Sequence, residues 1–247
     1  MSIGGLQKLT LIDYPGKIAC TVFLTGCNFR CPWCYSKELV LPQQIKKQPI
    51  ISEDDFFSFL GRRKGLIDGV VICGGEPTIN KELTDFIRKI KQLGYAVKLD
   101  TNGSNPASLK NLIEKKLIDY IAMDVKSPWG DEKQKPTAKE IKAGSRKYEK
   151  AAGVKINLAD IKKSIEIIKN SGIDYEFRTT IVPKIHRPKD IIDIAEQIKG
   201  AKAYFLQQFQ TGKTNDKKYQ KFKPFDQKQL EKIQKECEKY LPTKLRS

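Results

Sequence analysis

Residues 18–34 read IACTVFLTGCNFRCPWC. The first eight, 18–25, form a short apolar and β-branched run that ends at Gly26, the pattern of a buried strand. Directly beyond it, Cys27, Cys31 and Cys34 stand at the spacing C-x3-C-x2-C in a loop. A loop this short can turn three sulfurs toward one point, so the stretch reads as a strand whose carboxyl end carries a small inorganic centre.

Working outward, the same strand-then-loop pattern recurs. Residues 68–73 (DGVVIC) make a second buried strand, closed by Gly74 and Gly75, and further strands read at 96–100, 120–125, 175–182 and 203–208. Between them lie helical periodicities at 53–63, introduced by Ser52 and Asp55 as a capping signal, at 80–93 up to Gly94, and at 106–116, 158–170 and 188–199. Six buried strands alternating with helices predict an α/β fold with a parallel sheet and right-handed crossovers, in the form of a partial (β/α)6 barrel; a full eight-unit barrel needs more chain. Residues 226–241 predict a C-terminal amphipathic helix. A single domain over 1–247 is expected, with a core at about 16–210 and an extension at 211–247. Residues 127–154 are lysine-rich and poor in large apolar residues, and read as a solvated insertion after the fourth strand; 212–223 have the same character.

The 247 residues carry 46 Lys+Arg against 29 Asp+Glu, a formal charge of +17, and 39% are hydrophobic. The chain has no apolar run of the roughly 18 residues that a spanning helix needs, and residues 1–16 lack the basic-then-apolar layout of a secretory signal. A soluble, cytoplasmic protein is expected. In a reducing compartment three cysteines within eight residues suit metal ligation better than disulfides. The charge invites a nucleic-acid reading, but the excess is mostly Lys spread over helix faces, such as Lys110, Lys115, Lys116, Lys162, Lys163 and Lys169, with few interleaved aromatics or Arg. That distribution favours solvated faces, or steering of an acidic protein partner or an anionic cofactor, over nucleic acid.

Structural zinc usually takes four protein ligands, and no fourth lies near the loop. The single histidine, His186, sits between charged neighbours and reads as a surface residue; Cys20 lies on a strand and Cys237 on the terminal helix. Three ligands therefore point to a 4Fe-4S cluster with one iron left open, with zinc and buried thiols as the alternatives.

Strand ends on the carboxyl side are where α/β enzymes place their chemistry. They carry Gly74, Gly75, Glu76, Pro77 and Thr78; then Asp100, Thr101, Asn102 and Gly103; then Asp124 and Lys126, two apart and so on one side of a strand; then Arg178 and Thr180; then Gln207, Gln208 and Phe209. Two glycines permit close approach of backbone to a ligand, and the following carboxylate can accept from an ammonium group. The bland alternatives are turns at Gly74-Gly75 and Asn102-Gly103, and a local ion pair between Asp124 and Lys126. Cys73 reads as a small buried thiol.

C-x3-C-x2-C with an aromatic, Trp33, before the last cysteine, on the loop after the first strand of a βα-repeat chain, resembles the signature of radical S-adenosylmethionine (SAM) enzymes. The resemblance implies a partial barrel of the radical SAM type and one 4Fe-4S cluster on Cys27, Cys31 and Cys34. It implies SAM chelating the open iron, and reductive cleavage of SAM to a 5′-deoxyadenosyl radical. Gly74, Gly75 and Glu76 resemble the motif that holds the SAM amino group. Asp100-Thr101-Asn102-Gly103 and Asp124-Val125-Lys126 resemble elements of glycyl-radical-enzyme activases that contact SAM or the glycine-bearing peptide, with Asp124 and Lys126 as catalytic candidates and a monovalent cation held by the two Asp positions. Trp33 would shield the loop, and Arg178, Thr180 and Gln208 complete the cofactor set.

Residues 9–17 (LTLIDYPGK), 23–35 and 74–78 (GGEPT) are most similar to activating proteins of anaerobic ribonucleoside-triphosphate reductase. That resemblance implies an anaerobic setting, a glycyl-radical reductase as protein substrate, and a flavodoxin-like or ferredoxin-like electron donor. The alternatives are a radical SAM enzyme acting on a small molecule or RNA, and a zinc-stabilised nucleic-acid-binding module without catalysis.

Overall fold

The computed structural model describes residues 1–130 and 138–246. The chain divides into two compact units, the first made of Met1–Asn28, Ser36–Thr101 and Asn105–Ala122, the second of Phe29–Tyr35, Asn102–Ser104 and Met123–Ser247.

In the first unit the strands are β1 (Ile3–Thr10), β2 (Ala19–Leu24), β3 (Gly69–Gly74) and β4 (Ala96–Thr101), hydrogen-bonded in that order. β1 runs antiparallel to β2, and β2, β3 and β4 are parallel, with Ala19 opposite Gly69 and Leu24 opposite Gly74. Between them lie α1 (Lys37–Val40), α2 (Pro42–Ile45), α3 (Glu53–Arg62) and α4 (Leu83–Gln92), and after β4 comes α5 (Pro106–Glu114). Val22, Leu24, Val70, Ile72, Val97 and Leu99 are fully buried, as are Phe56 and Leu60 of α3, Ile87 and Ile90 of α4, and Leu109 and Leu112 of α5. Continuous apolar strands are what a parallel sheet under helices requires. Helix starts follow local chemistry: Ser52 accepts from Asp55 N, and Asn105 accepts from Ser108 N ahead of Pro106.

β5 (Tyr120–Asp124) carries the chain into the second unit, which holds α6 (Ala138–Ala152), α7 (Leu158–Lys169), β6 (Asp174–Ile181), α8 (Pro188–Gln197), β7 (Tyr204–Gln208), α9 (Gln227–Cys237) and β8 (Thr243–Arg246). β6, β7 and β8 are parallel neighbours. Buried in this unit are Phe177, Ile181 and Tyr204 of the strands and Ile161, Ile168, Ile191, Ile194 and Ile233 of the helices. The fold is α/β with a mostly parallel sheet, as the periodicity predicts. Among the described residues no helix is long and apolar enough to cross a membrane.

The structure corrects the expected element layout in three places. Two strands are added to the six expected. β1 (IGGLQKLT) lacks a clean alternation and is held by pairing to β2, and the four-residue β8 is a strand only because β7 supplies its partner. The lysine-rich stretch is no solvated excursion where it is described: α6 buries Tyr148, Ala151 and Ala152, a stripe at i, i+3 and i+4 between the lysines. Residues 131–137 of that stretch lie outside the described residues. Third, residues 212–223 are not simply solvated, since Thr214 and Tyr219 are buried and Lys217–Lys221 forms a 3-10 turn.

Candidate functional site

In the first unit the corner after β3 packs against the end of β2. Gly75 N donates to Leu24 O at 2.9 Å and Glu76 N to Gly26 O at 2.8 Å, one residue before Cys27. A Cβ at Gly75 would lie 1.8 Å from Gly26 O, and Gly74 has φ +119°, so both glycines are required by the close approach itself. The corner delivers the Glu76 carboxylate into the interior at 0% exposure. Its Oε1 accepts from Thr78 N at 3.1 Å, from the Thr78 hydroxyl, and from Thr101 Oγ1 at 2.8 Å. A buried carboxylate held by donors on two strand ends is oriented before any ligand arrives, and can accept from an ammonium group. Thr101 thus belongs to this constellation.

Asp100 faces the other way, because neighbouring strand residues alternate. It forms an ion pair with Lys98, whose ammonium also lies 5.8 Å from the centre of the Tyr120 ring. Lys98 is 1% exposed, and Asp100 is its counter-ion. Cys73, expected to be buried, is half-buried against the cluster of Tyr14, Ala19 and Val71.

The second unit holds the rest of the cysteine loop, Phe29–Tyr35. Cys34 N donates to Cys31 O at 3.1 Å, closing a turn. Asn215 N donates to Cys34 O at 3.1 Å, Asn215 Nδ2 to Cys31 O at 3.0 Å, and Asp216 N to Pro32 O at 2.9 Å. On the α6 side, Arg30 N donates to Ala152 O at 2.8 Å, and a Cβ at Gly153 would come within 2.0 Å of Arg30 O. Both stretches that the sequence reading set aside as solvated therefore hold this loop. Tyr35 stacks on Phe209 at 6.2 Å, and its hydroxyl accepts from Gln210 N at 2.8 Å.

Trp33 is buried and packs edge-on to His186, with ring centres 6.2 Å apart. His186 is not the surface residue its charged neighbours suggested; it is 3% exposed. Val182 N donates to its Nδ1 at 3.0 Å, and Nε2 donates to Lys126 O at 2.9 Å. Burial pushes the imidazole down to about 4, so it is neutral at pH 7.

Asp124 accepts from Lys126 Nζ and from Arg178 Nε, both at 2.9 Å. Burial alone would raise its pKa, but the Arg178 and Lys126 cations overcome that and hold the carboxyl well below the usual range. Burial likewise works against the Lys126 ammonium, and the Asp124 charge, with Cys31 next, raises it instead. Lys126 N donates to Tyr148 Oη of α6 at 3.2 Å. Asp100 and Asp124 thus each have protein cations beside them, which lowers what a monovalent ion would gain there. Thr180 shares a strand face with Arg178 by alternation. On the same strand, Glu176, fully buried, is paired with Arg246 of β8 at 2.9 and 3.3 Å.

Asn102 takes the turn reading: its Oδ1 accepts from Ser104 N at 2.9 Å, Gly103 has φ +75°, and Ser164 Oγ donates to Gly103 O at 2.7 Å. Gln208 donates from Nε2 to Phe225 O, while its buried Oε1 meets no hydrogen-bond donor among the described residues. Of the residues that matter here, Lys98, Tyr148 and Asn215 have no place in the sequence reading, and His186 reads there as a surface residue. The Tyr148-Ala151-Ala152 stripe was visible in principle; Asn215, in a polar stretch, gave no signal.

The donor set suits an iron–sulfur cluster better than a hard cation: three thiols within eight residues, on a loop whose backbone is tied at several points. Burial pushes the Cys20 and Cys237 thiols up to about 12, which marks both as structural. Among the described residues no three His, Cys, Asp or Glu side chains form a ready metal-ion site, so cluster ligation rests on the spacing of Cys27, Cys31 and Cys34 and on the family.

A strand-end carboxylate behind two glycines and a C-x3-C-x2-C loop, carried by a chain of parallel α/β units, define the radical SAM class. The radical SAM superfamily model matches residues 21–198, and the chain belongs to that superfamily. It is 34% identical, over 97% of its length and 92% of the other's, to a Methanocaldococcus jannaschii protein named as a glycyl-radical enzyme activating enzyme. A 7-carboxy-7-deazaguanine synthase of Aquifex aeolicus is 34% identical over 33% of this chain and 34% of its own. Among solved structures, Streptococcus suis SuiB superposes with a TM-score of 0.65 at 15% identity, over 92% of this chain; the chain spans about half of SuiB, 48%. The protein is a radical SAM enzyme whose family cofactors are a 4Fe-4S cluster and SAM, which sets aside the non-catalytic zinc module.

Proposed function

We propose that this enzyme is a glycyl-radical-enzyme activase, and that its protein substrate is an anaerobic ribonucleoside-triphosphate reductase. The observation that carries the reading is the 34% identity, spread over 97% of the chain, with a protein named for that activity. Residues 9–17 and 74–78 narrow it to the reductase-activating type.

In this reading Cys27, Cys31 and Cys34 ligate one cluster, and Glu76 with the Gly74-Gly75 backbone takes the SAM amino group. When bound and reduced, cluster and SAM supply a 5′-deoxyadenosyl radical that takes a hydrogen atom from a backbone glycine of the partner. The chain's own work is binding, orientation and exclusion of water. Glu76 is pre-set by Thr78 and Thr101. Trp33 and His186 fill the space beside the loop. Asp124, Lys126 and Arg178 form a charged group for polar parts of SAM or of the peptide, with Thr180 beside them and Gln208 offering a buried acceptor. Asp100 and Asn102 serve by holding Lys98 and the turn. The proposed setting is an anaerobic cytoplasm with a flavodoxin-like or ferredoxin-like donor.

The test is anaerobic reconstitution, reduction, and incubation with SAM and a candidate reductase. A glycyl doublet in the electron paramagnetic resonance (EPR) spectrum, absent when Cys27, Cys31 or Cys34 is replaced by Ala, is the expected result. Formation of 5′-deoxyadenosine with a modified small molecule or RNA and no doublet would overturn the activase reading.

A further inference from the structure

Two consecutive residues far along the chain take three carbonyls of the cysteine turn. Asn215 Nδ2 donates to Cys31 O at 3.0 Å across 184 positions, Asn215 N to Cys34 O at 3.1 Å, and Asp216 N to Pro32 O at 2.9 Å. The donors are themselves anchored. Thr214, 2% exposed, donates to Asp216 O at 2.7 Å, and the Asp216 carboxylate caps the following 3-10 turn by accepting from Lys218 N at 2.9 Å. Tyr219 then buries the turn against the unit. This strap is a built element in a stretch whose composition, GKTNDKKYQKFK, reads as solvated.

Asn215 is also imperfectly satisfied, since among the described residues its buried Oδ1 meets no hydrogen-bond donor. A buried acceptor left unpaired costs about 1–3 kcal/mol, so a residue present only to fill this space would be poorly chosen. What the side chain does accomplish is donation to the Cys31 carbonyl.

We infer that Asn215 is a positioning residue for the cluster loop: its side-chain amide holds the Cys31 carbonyl while its backbone N–H holds that of Cys34, and the side-chain bond helps set the direction in which the Cys31 thiolate leaves the turn. This rests on the reading that Cys27, Cys31 and Cys34 ligate the cluster. Groups that orient metal ligands from behind typically set metal retention by about 10–100-fold, and hydrogen bonding around a cluster tunes its electronic state.

The experiment uses the full chain, reconstituted anaerobically, as wild type, Asn215→Ala and Asn215→Asp. The Asp variant keeps the size and branching of the side chain but replaces the donating amide by a carboxyl oxygen that, when ionised, can only accept and carries a charge, so it carries the test if the Ala variant does not fold. Expected for both are a cooperatively folded chain whose melting temperature without the cluster falls by roughly 2–12 °C, iron loss to a chelator about tenfold faster or more, and shifted g-values in the EPR spectrum of the reduced cluster. Wild-type iron retention and spectrum in both variants would overturn the inference. So would a normal Asp variant beside a defective Ala variant, because packing and not the amide would then be at work. If wild type itself takes up no cluster, the ligation reading fails, a result distinct from either of these.

Discussion

His186 Nε2 donates to the Lys126 carbonyl at 2.9 Å, which fixes the tautomer of a ring that packs edge-on against Trp33 of the cysteine loop. One imidazole thereby joins the Asp124–Lys126 strand end to the cluster loop.

The pH dependence of stability follows from that burial. Folded His186 titrates at about 4 and an unfolded histidine near 6.5. Between these values the unfolded chain binds more protons, so stability falls as pH drops from 6.5 to 4, by about 3 kcal/mol in all, and this group contributes no slope above that window. Asp190 favours the charged ring and Lys126 opposes it, both more weakly than burial. Urea unfolding of the chain without its cluster, at pH 7, 5.5 and 4.5, should show this slope in wild type and its loss in His186→Gln.

Glu76 offers a separable binding test. Replacing it by Gln keeps the volume and removes the charge, so the bond to an ammonium group loses its ionic part. At about 1.5–3 kcal/mol for a charged hydrogen bond, SAM should bind roughly 10–100-fold more weakly to the reconstituted variant in equilibrium dialysis. Unchanged affinity would remove Glu76 from the SAM site.

Three glycines with different surroundings predict different costs. Gly75→Ala and Gly153→Ala place a Cβ 1.8 and 2.0 Å from backbone oxygens that cannot retreat, whereas a Cβ at Gly94, at φ +90°, meets none of the described residues within 4 Å. The first two should lose at least about 3 kcal/mol, lowering the melting temperature by roughly 6–12 °C, and Gly94→Ala about 1–2 kcal/mol from backbone strain alone. Differential scanning calorimetry of the three variants ranks them.

Thiol labelling should divide the cysteines by burial. Cys20 and Cys237, fully buried with thiols pushed up to about 12, should resist an aromatic disulfide reagent at pH 8, while the half-buried Cys27 and Cys34 react in protein without cluster. Cluster loading should then protect Cys27 and Cys34 and leave the other two unchanged. Reaction of Cys20 at a rate like that of Cys34 would contradict the buried assignment.

Much of this protein was legible from local pattern. Strand cores such as VVIC and AVKL, helix starts at Ser52, Pro106 and Asp226, the C-x3-C-x2-C spacing and the GGE corner all depend on residues within one turn or one strand of each other. Even there, alternation separated Thr101, which meets Glu76, from Asp100, which turns to Lys98.

What the amino-acid order determined by itself was the α/β alternation and the chemistry on the first loop, because apolar periodicity and short ligand spacing are properties of neighbouring residues. Tertiary structure alone decided the partners of the polar groups: His186 buried beneath Lys126, α6 and the Asn215 strap bracing the cysteine loop, and β8 supplying Arg246 to Glu176. A side-chain donor carries no mark of which carbonyl, 60 or 184 positions away, it will reach. Only the packed chain, where an unmet buried polar group is costly, makes that choice.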